Sequence, residues 1–125
     1  YRLKQNAFST EQHTAIYYNG FIYGVIVDGP LVCLDPAGEV MWSSGRARKF
    51  GRGNYIIANG LLFVMNDSTG ELTLVEATAS GYHELARAPV LTGPDAYGPM
   101  AIAHGRLIVR NLNTLTCLDV RREQP

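Results

Sequence analysis

A turn dipeptide set inside an apolar run recurs three times in this chain, and a fixed recurrence restricts a fold more tightly than composition does. The first copy reads Ala15-Ile16-Tyr17-Tyr18-Asn19-Gly20-Phe21-Ile22-Tyr23, the second Ile56-Ile57-Ala58-Asn59-Gly60-Leu61-Leu62-Phe63-Val64, and the third Ala101-Ile102-Ala103-His104-Gly105-Arg106-Leu107-Ile108-Val109. Gly20, Gly60 and Gly105 stand 40 and 45 residues apart, the length of four short strands with their turns. Asn-Gly between β-rich runs predicts a type I′ hairpin, because both central residues need positive φ and Asn and Gly adopt it at least cost. His104 holds the Asn position of the third copy; histidine is also enriched at positive φ, so it reads as a turn residue.

Past the first hairpin, Asp28-Gly29-Pro30 turns the chain into a strand over 31–35, and Pro36-Ala37-Gly38 turns it into a fourth over 39–42. The second copy predicts strands over 54–58, 61–66, 71–76 and 81–87, with a turn at Asp67-Ser68-Thr69-Gly70. The third predicts 100–103, 106–110 and 115–120, then passes into polar Arg121-Arg122-Glu123-Gln124-Pro125 without a fourth strand. No long amphipathic helix is written anywhere. The run 21–27 does not alternate with polar residues, so its strand needs cover on both faces, as when sheets stack on sheets. The expected fold is all-β: a partial β-propeller of about three blades of antiparallel four-stranded sheet, the last incomplete. Residues 1–13 read as the end of a preceding blade or a linker, 14–45 as blade 1, 46–53 as a basic inter-blade loop, 54–92 as blade 2 and 93–125 as incomplete blade 3.

Eleven Lys plus Arg balance eleven Asp plus Glu, so no global field draws nucleic acid or an anionic membrane. The longest apolar stretch, 21–27, is far short of the roughly 20 residues of a membrane helix, and Tyr1-Arg2-Leu3-Lys4 does not read as a secretory signal. Two cysteines are too few for a disulfide scaffold and form no C-x-x-C pair. Their settings match: Leu31-Val32-Cys33-Leu34-Asp35 and Leu115-Thr116-Cys117-Leu118-Asp119. Equivalent strands of different blades hold their sulfurs beyond the roughly 7 Å Cα limit of a bridge, which predicts two buried free thiols.

Across Leu31-Val32-Cys33-Leu34-Asp35-Pro36-Ala37-Gly38-Glu39-Val40-Met41-Trp42 the chain resembles the repeat of pyrroloquinoline-quinone-type β-propellers, roughly G-x-L-x-A/C-L-D-x-x-T-G-E-x-x-W. In that superfamily the Trp docks on the next blade while the Asp and Gly shape the turn. The resemblance therefore assigns those roles to Asp35, Gly38 and Trp42, although the turn here is one residue shorter and lacks the Thr. The second and third copies resemble the penultimate and closing blades of bacterial propeller-repeat proteins such as the β-barrel assembly lipoprotein B family. The resemblance covers about residues 14–120. It is specific for the repeat superfamily and silent on activity; the expected function is a non-enzymatic protein-binding or scaffolding propeller, and the resemblance implies the bacterial envelope, periplasmic or otherwise extracytoplasmic. The alternative it implies is part of a quinoprotein-like dehydrogenase that binds pyrroloquinoline quinone with calcium.

Propellers close with about four to eight blades, so three blades imply partners: the remaining blades of a longer propeller, copies of this chain, or another protein. Covering about 400 Å² of open blade face is worth on the order of 10 kcal/mol, comparable to the stability of a whole domain. The sequence nominates no catalytic, cofactor-binding or metal-ligating residue. The quinone enzymes use vicinal cysteines, whereas Cys33 and Cys117 stand 84 positions apart. Asn66-Asp67-Ser68-Thr69-Gly70-Glu71 opens like a calcium loop, yet Ala77 holds the twelfth position where a Glu is needed. His13, His83 and His104 share no metal spacing. One candidate contact remains: Arg46, Arg48, Lys49 and Arg52 place four cations in seven residues, either a solvated loop or an anion or partner contact at one mouth of the ring. Tyr17, Tyr18, Tyr23, Tyr55 and Phe63 are expected to pack between blades.

Overall fold

The computed structural model describes residues 2–3, 8–10, 12–26 and 29–123. Much of the expected 1–13 segment, residues 27–28 of the first long turn, and residues 124–125 lie outside the described residues.

Each repeated dipeptide makes its turn. Asn19 and Gly20 stand at φ 48° and 87°, Asn59 and Gly60 at 50° and 73°, and His104 and Gly105 at 50° and 73°. Both central residues are left-handed in all three, as a type I′ hairpin requires. Around these turns the described residues form eleven strands. Blade 1 holds β1 (Ile16–Tyr18), β2 (Phe21–Val25), β3 (Leu31–Leu34) and β4 (Val40–Ser43). Blade 2 holds β5 (Tyr55–Ala58), β6 (Leu61–Met65), β7 (Glu71–Glu76) and β8 (Glu84–Pro89), and blade 3 holds β9 (Ala101–Ala103), β10 (Arg106–Arg110) and β11 (Leu115–Asp119). Every sheet is an antiparallel meander in chain order, of four, four and three strands. The protein is a partial β-propeller with an incomplete last blade.

Stacking the blades buries two successive cores, and strand alternation divides the side chains between them. Tyr23, Val25, Leu31, Cys33 and Trp42 of blade 1 pack with Tyr55, Leu62, Val64 and Val75 of blade 2. The intervening positions, Phe63 and Met65, turn the other way and pack with Leu107 and Val109 of blade 3 and with Leu91, Ala96 and Met100 of the β8–β9 connection. β6 is thus apolar on both faces because both faces are covered. β2 is covered on both faces too: Tyr23 and Val25 meet blade 2, while Gly24, opposite Val32, lies against Phe8, whose ring comes within 2.8 Å of where a Cβ would sit.

Three expectations are corrected. The fourth strand of blade 2 begins at Glu84, three residues later than 81–87 predicts. The intervening loop is held off the sheet by bonds from Thr78 Oγ1 to Ser80 Oγ and between Ser80 Oγ and His83, and the β7·β8 pairing carries a register shift at Leu74/Val75. Tyr17 is 69% exposed, because it alternates away from the core that Ile16 and Tyr18 join. Both thiols are free, but only Cys33 is buried; Cys117 is exposed, on a face of β11 that none of the described blades covers.

Candidate functional site

The four cations of the basic inter-blade loop have different surroundings. Arg46 is exposed. Lys49 is exposed as well, but its backbone bridges Pro30 and its carbonyl accepts Asn66 Nδ2 at 3.2 Å. Arg52 donates its backbone N–H to Asp67 Oδ1 at 3.0 Å and lays its guanidinium 5.9 Å from the Tyr97 ring centroid. Arg48 turns inward. Its Nη2 lies 2.7 Å from Glu84 Oε1, 3.5 Å from Glu71 Oε1 and 3.1 Å from Thr73 Oγ1, and the guanidinium stands 5.7 Å from the Phe50 ring. Burial alone disfavours that charge, yet Tyr82 and Glu84 hold it so well that the balance raises its pKa. Arg48 fastens the loop to the outer strands of blade 2. Sequence patterning missed this because Glu71, Thr73 and Glu84 are remote in the chain.

The named repeat residues serve the backbone. Asp35 Oδ1 accepts the N–H groups of Ala37 and Glu39, both at 2.9 Å, and Gly38 closes that turn at φ 89°. Trp42 Nε1 donates to the Thr78 carbonyl of blade 2 at 2.6 Å. Gly20, Gly60 and Gly105 are the second residues of the hairpin turns.

The entrances of the three inner strands meet at one end of the stack. His13 Nε2 bonds the Tyr97 carbonyl at 3.1 Å, Tyr55 donates its hydroxyl to the His13 carbonyl at 3.4 Å, and Asn54 Nδ2 donates to the Gly98 carbonyl. Beside them opens a cleft of about 360 Å³ lined by His13, Asp95, Tyr97, Arg110 and Asn111 among others. The Asn111 carboxamide is committed, accepting from the N–H groups of Asn113 and Thr114 and donating to the Thr92 carbonyl. The cleft has the makings of polar recognition. No nucleophile–base pair is formed among these side chains.

Blade 3 presents the other surface. β10 and β11 pair in continuous register, Ile108 opposite Cys117 and Arg110 opposite Leu115. Alternation sends Leu107, Val109 and Leu118 toward blade 2 and Arg106, Ile108, Arg110, Leu115, Cys117 and Asp119 to the opposite flank, where all six are exposed. Their equivalents in blade 1 are covered: Leu31 and Cys33 are 0% exposed, whereas Leu115 is 67% and Ile108 38% exposed. Asp119 pairs with Arg106 at 2.5 Å and Arg121 at 2.6 Å. The bonds from Arg121, then from Arg106, hold its carboxyl well below the usual range.

The described residues do not fit the quinone and calcium set. Cys33 lies in the core between blades 1 and 2, Cys117 on the far flank of blade 3, so no vicinal thiols form. Among the described residues no group of three or more His, Cys, Asp or Glu is placed to hold a metal ion. No described helix is long and apolar enough to cross a membrane. No protein-family model matches the chain, and no curated protein matches it.

Proposed function

We propose that the chain is a non-enzymatic protein-binding or scaffolding part of a β-propeller of the bacterial envelope, periplasmic or otherwise extracytoplasmic, with the open flank of blade 3 as its binding surface. One observation carries this reading: the same phrase, Leu-x-Cys-Leu-Asp, is buried by a neighbour at Leu31 and left open at Leu115. The open flank has an apolar centre, Ile108 and Cys117, between Arg106 and Arg110, with Leu115 opposite Arg110. The corresponding β2 positions in blade 1, Phe21 and Val25, are apolar. An apolar centre rimmed by arginine is the composition of a protein interface. Such a face takes a partner, or a further blade, that offers apolar side chains at its middle and carboxylates at its edge.

The test places a photo-crosslinking residue at Leu115 in the producing cell. The expected adduct joins this chain to polypeptide from outside residues 1–125, and Ile108→Glu abolishes it. No adduct, or adducts to this chain's own residues alone, would overturn the reading. The dehydrogenase alternative predicts a stoichiometric spectral change on titration with pyrroloquinoline quinone and calcium; a scaffold predicts none.

A further inference from the structure

The cleft of about 360 Å³ at the inner-strand entrances has three walls. The β8–β9 connection supplies Asp95, Tyr97 and Pro99, the β10–β11 turn supplies Arg110 and Leu112, and the lead into β1 supplies His13. That volume lies at the small end of ligand sites. Each wall is fixed by bonds of its own. The Ala96 N–H donates to the Asp67 carbonyl at 3.0 Å, His13 Nε2 holds the Tyr97 carbonyl, and the Arg52 guanidinium stands over the Tyr97 ring. Asn111 Nδ2 ties the β10–β11 turn to the Thr92 carbonyl at 2.8 Å. The stem of Arg110 lies against Gly98, where a Cβ would stand 2.9 Å from Arg110 Cγ.

Two opposite charges line this frame without pairing. Asp95 is half-buried, yet among the described residues its carboxylate takes part in no hydrogen bond or ion pair. Arg110 likewise has no carboxylate partner among the described residues; its Nε donates to the Asn111 carbonyl at 3.3 Å. Arg48, the partly buried cation between blades 1 and 2, is by contrast met by Glu71 and Glu84. Withdrawing a carboxylate from water without a donor in exchange is unfavourable. The backbone of Asp95 adds to this, standing at φ 68°, a left-handed conformation unfavourable for side-chain-bearing residues and least so for Asp and Asn. The neighbouring Ala96 N–H bond holds it there, not any bond of the Asp95 side chain. The carboxylate is left to the cleft.

We infer that this cleft binds a small zwitterion, an α-amino acid with an apolar side chain, its ammonium at Asp95, its carboxylate at Arg110 and its side chain against Pro99 and Leu112. A simple anion would satisfy Arg110 and meet repulsion from Asp95; a simple cation would do the reverse. A ligand carrying both charges answers both, and the guanidinium receives a carboxylate through its planar fork of donors. Fixed walls favour such a ligand, because little of the site has to be ordered when it enters. The inference goes beyond the proposed function and does not rest on it. The cleft lies at the end of the stack, whereas the partner surface is the flank of blade 3; Arg110 borders both, and Asp95 belongs to the cleft alone.

The test is an NMR titration of the chain, following backbone amide shifts, with L-leucine at mildly acidic pH, where its amine is fully charged. Leucinamide, which lacks the carboxylate, and 4-methylpentanoate, which lacks the ammonium, are titrated in parallel. Leucine is expected to saturate one site with a Kd of about 1 mM or tighter, moving the amides of 95–98 and 110–112. Each truncated ligand should bind about tenfold or more weakly. Asp95→Asn keeps a residue that tolerates the left-handed backbone; it should weaken leucine about tenfold and leave 4-methylpentanoate no weaker. Arg110→Gln should weaken leucine about tenfold and leave leucinamide no weaker. Binding of the truncated ligand shows in each case that the variant is folded. No saturable binding of leucine up to about 10 mM, shifts confined to other residues, equal binding of leucine and either truncated ligand, or leucine binding indifferent to either substitution would overturn the inference.

Discussion

Trp42 donates its indole N–H to the Thr78 carbonyl at 2.6 Å, fastening the outermost strand of blade 1 to the β7–β8 loop of blade 2. The ring lies between Tyr23, 6.2 Å away, and Tyr82, 5.7 Å away. Trp42→Ala therefore opens the first inter-blade core and is expected to destabilise the chain by about 3–5 kcal/mol. Trp42→Phe keeps most of the packing but leaves the Thr78 carbonyl without its donor, at about 1–2 kcal/mol. Urea midpoints at constant slope measure both.

Arg48 separates from the other cations of its loop. Removing it leaves Glu71 and Glu84 without the guanidinium that both approach within 3.5 Å. Arg48→Met is expected to destabilise by about 1–3 kcal/mol, below the full figure for a buried pair because the side chain keeps some contact with water. Arg48→Lys recovers little, since an ammonium cannot span Glu71, Glu84 and Thr73 as the planar fork does. Arg46→Ala and Lys49→Ala stay within about 0.5 kcal/mol. Thermal melts of the four variants check the ranking.

The difference between Arg48 and Arg46 shows where reading the sequence stops. Turns, strands and repeat spacing are legible because they rest on local chemistry: positive φ at Asn19, Asn59 and His104, each followed by glycine, is a property of neighbouring residues. Exposure is not local. Cys33 and Cys117 sit in the same five-residue phrase, yet one is buried because blade 2 follows it and the other is exposed because nothing described follows it. The inward turn of Arg48 depends likewise on residues distant in the chain. The open flank, the surface that carries the proposed function, was legible as an implication of three blades but not as particular side chains.

The two thiols report that asymmetry directly. Burial pushes the Cys33 thiol up, and its side chain is 0% exposed, so it is expected to be inert in the folded chain. Reaction with a chromogenic disulfide reagent should release one equivalent quickly from the monomer and the second only in denaturant. Cys117→Ser should remove the fast phase. Two fast equivalents would place Cys33 at the surface.

Alkaline pH should loosen the same core. Burial pushes the Tyr55 hydroxyl up to about 12 from its ordinary 10, and Tyr23 is raised in the same direction by burial and then by Cys33. Because the folded values lie above the unfolded ones, the stability linked to the neutral phenols is whole below pH 10 and is lost as pH rises from about 10 to 12, on the order of 1–3 kcal/mol. Urea midpoints across that window should fall, and Tyr55→Phe should flatten the fall.

Residue-resolved hydrogen exchange in a dilute, monomeric sample tests most directly whether three blades stack flank to flank and leave one flank and edge of blade 3 open. The amides of Leu62, Phe63 and Val64, in a strand covered on both faces, should exchange slowest, and the outward amides of Leu115, Cys117 and Asp119 should exchange at loop-like rates. Equal protection of β6 and the outward amides of β11 would contradict the account.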